Sequence, residues 1–304
     1  MQTTATQYDP GSAKKIILVT GGAGFIGSHL IERLVANPAN RVISLDNYFT
    51  GKEENHIKGA EYRRGHTKDI EKHISETPDI IYHLGEFSRT AVAIDEPDTV
   101  FGLNTIGTIG VLEFWRKQKC KLVYAGSSTK FADKRDDGIA GRDLSPYTWA
   151  KAANTELVAN YAKWYGLPYA TVYFSNVYGP RELSGKYGTV VEIFRQQHIA
   201  GKPKTVRLPG NQKRNYTHVD DTIDALVLIG EKGSGDGFNI AADEKFGTLD
   251  VAKLFGGEME MLPARKTSRP SATLDTSLTK KLGWSPKHSL KDYIANILKE
   301  YGES

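Results

Sequence analysis

The chain has 304 residues with 40 basic and 36 acidic side chains, and a net charge of +4 is too small and too dispersed to suit nucleic acid. Its 39% hydrophobic content can fill a substantial core, and the length suits one large α/β unit or two lobes. The single cysteine, Cys120 in KQKCKL, excludes an internal disulfide and reads as a packing residue in a reducing compartment, while the eight histidines show no ligand spacing, so no metal is expected.

The opening MQTTATQYDPGSAKK lacks the apolar core of a signal peptide and reads as a flexible polar tail over 1–14. No apolar stretch approaches the ~20 residues of a membrane helix, so a cytoplasmic location is expected. A buried strand at 16–20 then meets the glycine run of ILVTGGAGFIGSHL, which hands over to a helix at 25–36. Gly21 and Gly22 permit a tight turn, Gly24 lets the backbone approach a pyrophosphate, and Gly27 allows close helix–strand packing. Phosphates would rest on the free amides of Phe25, Ile26 and Gly27 at the positive helix end.

RVISLDN follows as a second buried strand at 41–45, and it delivers Asp46 and Asn47. A carboxylate there accepts hydrogen bonds from an adenosine ribose and repels a 2'-phosphate. No arginine follows it, so NAD is favoured over NADP.

Further strands are expected at 79–84, 121–126 and 168–174, with helices at 98–118 and 146–165. This alternation implies an α/β fold of the Rossmann type, a doubly wound parallel sheet covered on both faces. The strand at 121–126 ends in a hydroxyl cluster, Ser127, Ser128 and Thr129, on the side where such sheets bind ligands.

Tyr147 and Lys151, in SPYTWAK, share a helix face. A tyrosine is a poor base at neutral pH, and an ammonium about 4 Å away would stabilise its phenolate by roughly 4 kcal/mol. Ser127 could hydrogen-bond a substrate oxygen and help its proton reach the tyrosine. The helices at 98–118 and 146–165 also carry more apolar positions than one sheet face needs, including Trp115, Trp149 and Trp164, which suit a core or an interface. After Asn176, loops such as GPRELSGKYG separate shorter elements, as in a smaller substrate lobe.

With these motifs in place the chain resembles the extended short-chain dehydrogenase/reductases that act on nucleotide sugars, most closely the UDP-glucose 4-epimerase branch, over residues 15 to about 298. DIIYHLG at 79–85, LNTIGT at 103–108, FSNVYGPR at 174–181, RNYTHVDD at 214–221 and LGWSPKHSLKD at 282–292 match it in order and spacing. The resemblance implies an NAD-binding domain over 15–175, to which 215–240 returns, and a nucleotide-sugar-binding lobe over 176–304. It implies that Asp69 and Ile70 flank the adenine, that Leu84 and Gly85 face the pyrophosphate, and that Asn104 lies near the lysine. Asn176, Arg214 and Arg265 would contact the substrate's nucleoside diphosphate, the arginines through their planar forks.

Dehydratases of the family carry an Asp-Glu pair where this chain has Ser128 and Thr129, so 4-epimerisation through a transient 4-keto sugar is expected ahead of a 4,6-dehydratase or oxidoreductase. Phe131 replaces a tyrosine common in the family, and Ala272 stands where a small residue leaves room for a 2-acetamido group. Glu86 is unusual: it could pair with Arg89 at the pocket rim or contact the substrate. The family also implies a homodimer through the two long helices.

Overall fold

The computed structural model describes residues 13–128, 145–264 and 274–302. Its strands are β1 Lys15–Thr20, β2 Asn40–Asp46, β3 Glu61–Arg64, β4 Ile80–His83, β5 Lys121–Ala125, β6 Tyr169–Phe174, β7 Asn176–Tyr178, β8 Lys204–Arg207, β9 Arg214–His218, β10 Gly235–Ile240, β11 Lys245–Phe246 and β12 Met259–Leu262. Seven of them form one sheet in the order β10-β6-β5-β4-β1-β2-β3, parallel throughout. This is the doubly wound Rossmann-type α/β fold, and its strand order reverses direction between β1 and β4.

Alternation along the strands builds two apolar layers. On β1, Ile17 and Val19 join one cluster with Leu30 and Ile31 of the helix Phe25–Val35 and Ile223 and Leu226 of the helix Val219–Lys232. Leu18 points the other way, into a cluster with Leu112 and Trp115 of the helix Gly107–Gln118 and Val158 of the helix Pro146–Tyr165. Cys120 is buried in this second layer, where burial pushes its thiol up to about 12.

β7, β9 and β11 form a small sheet of their own, and β8 pairs with β12. A third apolar cluster, including Phe194, Val251, Phe255 and Ile294, ties these to three further helices. The return to the central sheet therefore begins at Val219 and continues through β10; β9 itself is held between β7 and β11.

The long helix expected at 98–118 is interrupted. A π-helical segment, Phe101–Ile106, separates the short helix Pro97–Val100 from Gly107–Gln118 and turns Asn104 inward. The short edge strand β3 has no counterpart in the sequence expectation, because EYRR alternates only weakly. Among the described residues no helix is long and apolar enough to cross a membrane.

Candidate functional site

A cavity of about 640 Å³ opens at the carboxyl ends of the strands, beside the point where the order reverses. The glycine turn forms its floor. Gly21 takes φ +74°, and a Cβ there would stand 2.8 Å from the Gly85 Cα across the β1–β4 crevice. A Cβ on Gly27 would collide with the Gly21 carbonyl, so the helix Phe25–Val35 seats against the turn only with glycine there. That helix has no side-chain cap at Gly24, and Phe25, Ile26 and Gly27 line the cavity. Its leading amides thus suit an anion.

At the end of β2, the buried Asp46 accepts the Ala23 amide at 2.9 Å and the Tyr48 amide at 2.7 Å. Burial raises its carboxyl, and the two amides offset part of that rise. Each carboxylate oxygen keeps a further lone pair for a ribose hydroxyl. Arg64, the β3 register partner of Asp46, was not foreseen beside it; it lies over the Tyr48 ring and pairs with Glu53 at 2.8 Å. A glycine cradle that a Cβ would fill, free helix amides and this carboxylate together fit a dinucleotide.

A directed chain of hydrogen bonds runs behind the cavity wall. The Gly85 amide donates to Thr20 Oγ1, which lies 2.7 Å from His83 Nδ1, and His83 Nε2 lies 2.9 Å from Thr108 Oγ1. Thr108 in turn donates to Glu86 Oε1. This ordering assigns His83 the neutral tautomer with its proton on Nε2. Burial holds its imidazole down at about 4, the Lys151 charge adding to the effect and Glu86 opposing it. The ring is therefore neutral and makes no ion pair with Glu86 Oε1, 4.0 Å away.

Glu86 does not pair with Arg89. Its carboxylate is buried and ion-paired with Lys151, and it also accepts Asn154 Nδ2 at 2.9 Å and the Tyr124 hydroxyl at 3.2 Å. Counting Thr108, four donors meet a carboxylate that has about four lone-pair sites. Burial raises the Glu86 carboxyl most, but the Lys151 charge and the hydrogen bonds from Lys151 and Thr108 act together against it, and the group lies below the ordinary glutamate value. Arg89 turns away and donates from Nε to the Tyr187 carbonyl. Proximity in sequence suggested the Glu86–Arg89 pair, whereas the fold gives Glu86 a partner 65 residues on.

Lys151 also donates to the Ala125 carbonyl at 2.6 Å, which fixes its head at the end of β5. One turn earlier, Tyr147 is buried with its hydroxyl 3.3 Å from Ser127 Oγ. The helix carrying both begins with a reciprocal cap: Ser145 Oγ accepts the Thr148 amide at 3.2 Å and Thr148 Oγ1 accepts the Ser145 amide at 2.9 Å, with Pro146 in the first turn.

Gly21, Gly24, Phe25, Ile26, Gly27, Asp46, Asn47, Leu84, Gly85, Ser127, Ser128, Tyr147, Lys151, Asn176 and Arg214 all line the one cavity. Asp69, Ile70 and Asn104 do not. Ile70 is packed in the second apolar layer, and the Asp69 carboxylate pairs with Lys72 at 2.9 Å. Asn104 spends its amide on Phe87, accepting N–H at 2.6 Å and donating to the carbonyl at 3.1 Å. It thus shapes the loop after β4 and is linked to the lysine through Asn154, which donates to both the Asn104 carbonyl and Glu86, the partner of Lys151. Thr129, Phe131, Arg265 and Ala272 lie outside the described residues.

The sequence reading missed most of the far wall. Phe49, Phe87 and Arg89 line it, with Val190, Arg207, Gln212 and Thr248 from the later part of the chain. Arg207 and Arg89 are further arginines in the cavity besides Arg214. The signal of Arg207 was faint, a lone arginine at the end of KTVR.

Among the described residues, His218, Asp220 and His288 form one group that could hold a metal, and they lie outside the cavity. The two rings stack 4.4 Å apart at 25°, and His218 Nδ1 accepts the Asp220 amide while His288 Nδ1 lies 2.9 Å from Asp221.

Comparison with known proteins places this geometry. Residues 17–241 match the model of the NAD dependent epimerase/dehydratase family. The chain is 30% identical to a putative UDP-glucose 4-epimerase of Methanocaldococcus jannaschii, over 93% of this chain and 97% of that protein. It is 28% identical to UDP-glucuronic acid decarboxylase 3 of Arabidopsis thaliana, over 91% and 86%. The crystal structure of Thermus thermophilus UDP-glucose 4-epimerase in complex with NAD superposes with a TM-score of 0.84, at 29% identity over 94% of this chain and 98% of that one.

Proposed function

Because the chain belongs to the NAD dependent epimerase/dehydratase family and uses NAD, we propose that it is a nucleotide-sugar 4-epimerase acting on a UDP-hexose or UDP-N-acetylhexosamine. One observation carries the choice of reaction. Among the described residues lining the cavity the carboxylates are Asp46 and Glu86, the first at the end of β2 and the second saturated by four donors. Neither is free to remove water from a sugar, and past the end of β5 Ser128 follows Ser127 where, by the family resemblance, a dehydratase would carry the first of its two acids.

In this reading Gly21, Gly24 and the amides of Phe25 to Gly27 hold the pyrophosphate of the dinucleotide, and Asp46 holds its adenosine ribose. NAD held there would supply the hydride acceptor and donor that oxidation and reduction at the sugar's carbon 4 require. Tyr147 takes the proton of the 4-hydroxyl as that carbon becomes a ketone, with Ser127 bridging the sugar oxygen and the phenol. The ketone turns over in the cavity, and Tyr147 gives the proton back. Lys151 lies one helical turn from Tyr147, its head held by Glu86 and the Ala125 carbonyl. Asn176, Arg207 and Arg214 are placed on the lobe side to bind the nucleoside diphosphate.

Incubating the protein with UDP-glucose or UDP-N-acetylglucosamine without added reductant, and following the sugar protons by NMR, tests this. Conversion to the galacto sugar supports it. A 6-deoxy-4-keto product, or carbon dioxide released from UDP-glucuronic acid, assigns the chain to a dehydrating or decarboxylating branch.

The same reading includes a homodimer in a reducing, cytoplasmic setting. Trp149 and Trp164 are 45% and 59% exposed on the helix Pro146–Tyr165, and Ile106 and Ile109 are exposed where the π segment passes into the neighbouring helix. Apolar side chains of this size on adjacent helices favour burial against a second copy.

A further inference from the structure

We propose that Glu86 is a positioning residue that cancels the charge of Lys151, and so biases the dinucleotide site toward the cationic, oxidised nicotinamide over the neutral, reduced one. Both side chains lie on the cavity wall that carries Tyr147 and Ser127. An unpartnered Lys151 would present a full positive charge on the cavity wall, and a second cation would bind against it. Glu86 removes that charge by direct ion pairing. Four donors fix where it does so, and the pair is neutral.

Burying such a pair is costly unless the remaining lone pairs and protons are satisfied. Here they are: Glu86 accepts from Thr108, Tyr124 and Asn154, and Lys151 donates onward to Ala125. Thr108 is in turn oriented by the neutral His83, so the wire behind the wall adds no charge of its own. An enzyme that must regain its oxidised cofactor in every cycle gains from this bias. The inference itself rests on NAD binding and is independent of the sugar and the reaction.

The test is equilibrium binding of NAD and of NADH, without sugar, to the folded full chain and its variants. Asp46, Arg89, Arg207 and Arg214, also on the wall, are the same in every variant, so the ratio of the two affinities isolates the pair. Glu86→Gln leaves a net positive charge, and the preference for NAD over NADH should fall about tenfold or more. The double variant Glu86→Gln/Lys151→Met removes both charges and should return the ratio toward wild type, even where both affinities are weaker. Glu86→Asp keeps the charge and should also hold the ratio.

An unchanged ratio in Glu86→Gln overturns the proposal. So does a double variant displaced as far as Glu86→Gln, since that would mark a packing effect. If Glu86→Gln does not fold, a displaced ratio in either of the other two variants has the same consequence. Because no sugar is present, none of these outcomes depends on whether the protein epimerises.

Discussion

The Tyr147 hydroxyl lies 3.3 Å from Ser127 Oγ although the two residues come from different elements, one in the first turn of a helix and the other just past the end of β5. Tyr147→Phe removes the proton acceptor and keeps the ring that packs on Phe87 and Ala150. Turnover should fall by about 10³ while NAD stays bound, as read by kcat and by cofactor content after gel filtration. Turnover within a few-fold of wild type would end the assignment of Tyr147 as the base.

Gly27→Ala tests the floor of the cavity. The added methyl meets the Gly21 carbonyl, so the helix must move off the turn. A loss of about 1–3 kcal/mol in stability is expected, together with a larger loss of NAD affinity, because the same displacement moves the phosphate-binding amides. Thermal melting with and without NAD separates the two effects.

Asp46→Ala removes the acceptor of two backbone amides and, in the proposed reading, of the adenosine ribose. It should cost about 1–3 kcal/mol of stability and at least tenfold in NAD affinity. Asp46→Asn should retain more of both, since one oxygen remains to accept an amide.

Stability should depend on pH through His83. Its native imidazole is held down at about 4, burial being the main cause, from an ordinary value of 6.5. Between those values the unfolded chain binds a proton that the native protein refuses. Stability therefore falls as pH drops from about 6.5 to about 4, by up to about 1.4 kcal/mol per pH unit, and this contribution is gone below 4. Denaturant melts across that range should show a shallower slope for His83→Gln.

Trp149→Arg and Ile106→Arg place charges on the exposed apolar surface of the two long helices. If that surface joins two copies, light scattering should report a dimer for the wild type and a monomer for the variants, with the central sheet intact by circular dichroism. A monomeric wild type would remove the homodimer from the functional reading.

What could be read in the sequence was what depends on short spacings. The glycines, Asp46 and the Tyr147–Lys151 pair belong to local geometry: a turn at a strand end, the next strand's last residue, one helical turn. The central strands were legible because buried parallel strands are nearly continuous apolar runs. The Glu86–Arg89 pair was misjudged because the partners of Glu86 come from three other segments and only tertiary structure brings them together. Ile70 was given to the adenine by motif position alone, and the core packing of its side chain was not legible there. The π segment and the far cavity wall were hidden for the same reason, since no local period marks a residue whose role is set by a distant element.

The Glu86 carboxylate also acts as a meeting point in assembly. It joins the loop after β4 to Thr108 on one helix, to Tyr124 on β5, and to Lys151 and Asn154 on another helix. Until all of these segments are in place, the ammonium of Lys151 has a better partner in water than in the protein. A half-formed chain therefore has no half-formed lysine site, and on heating the cofactor pocket should fail in the same cooperative step as the sheet that supports it.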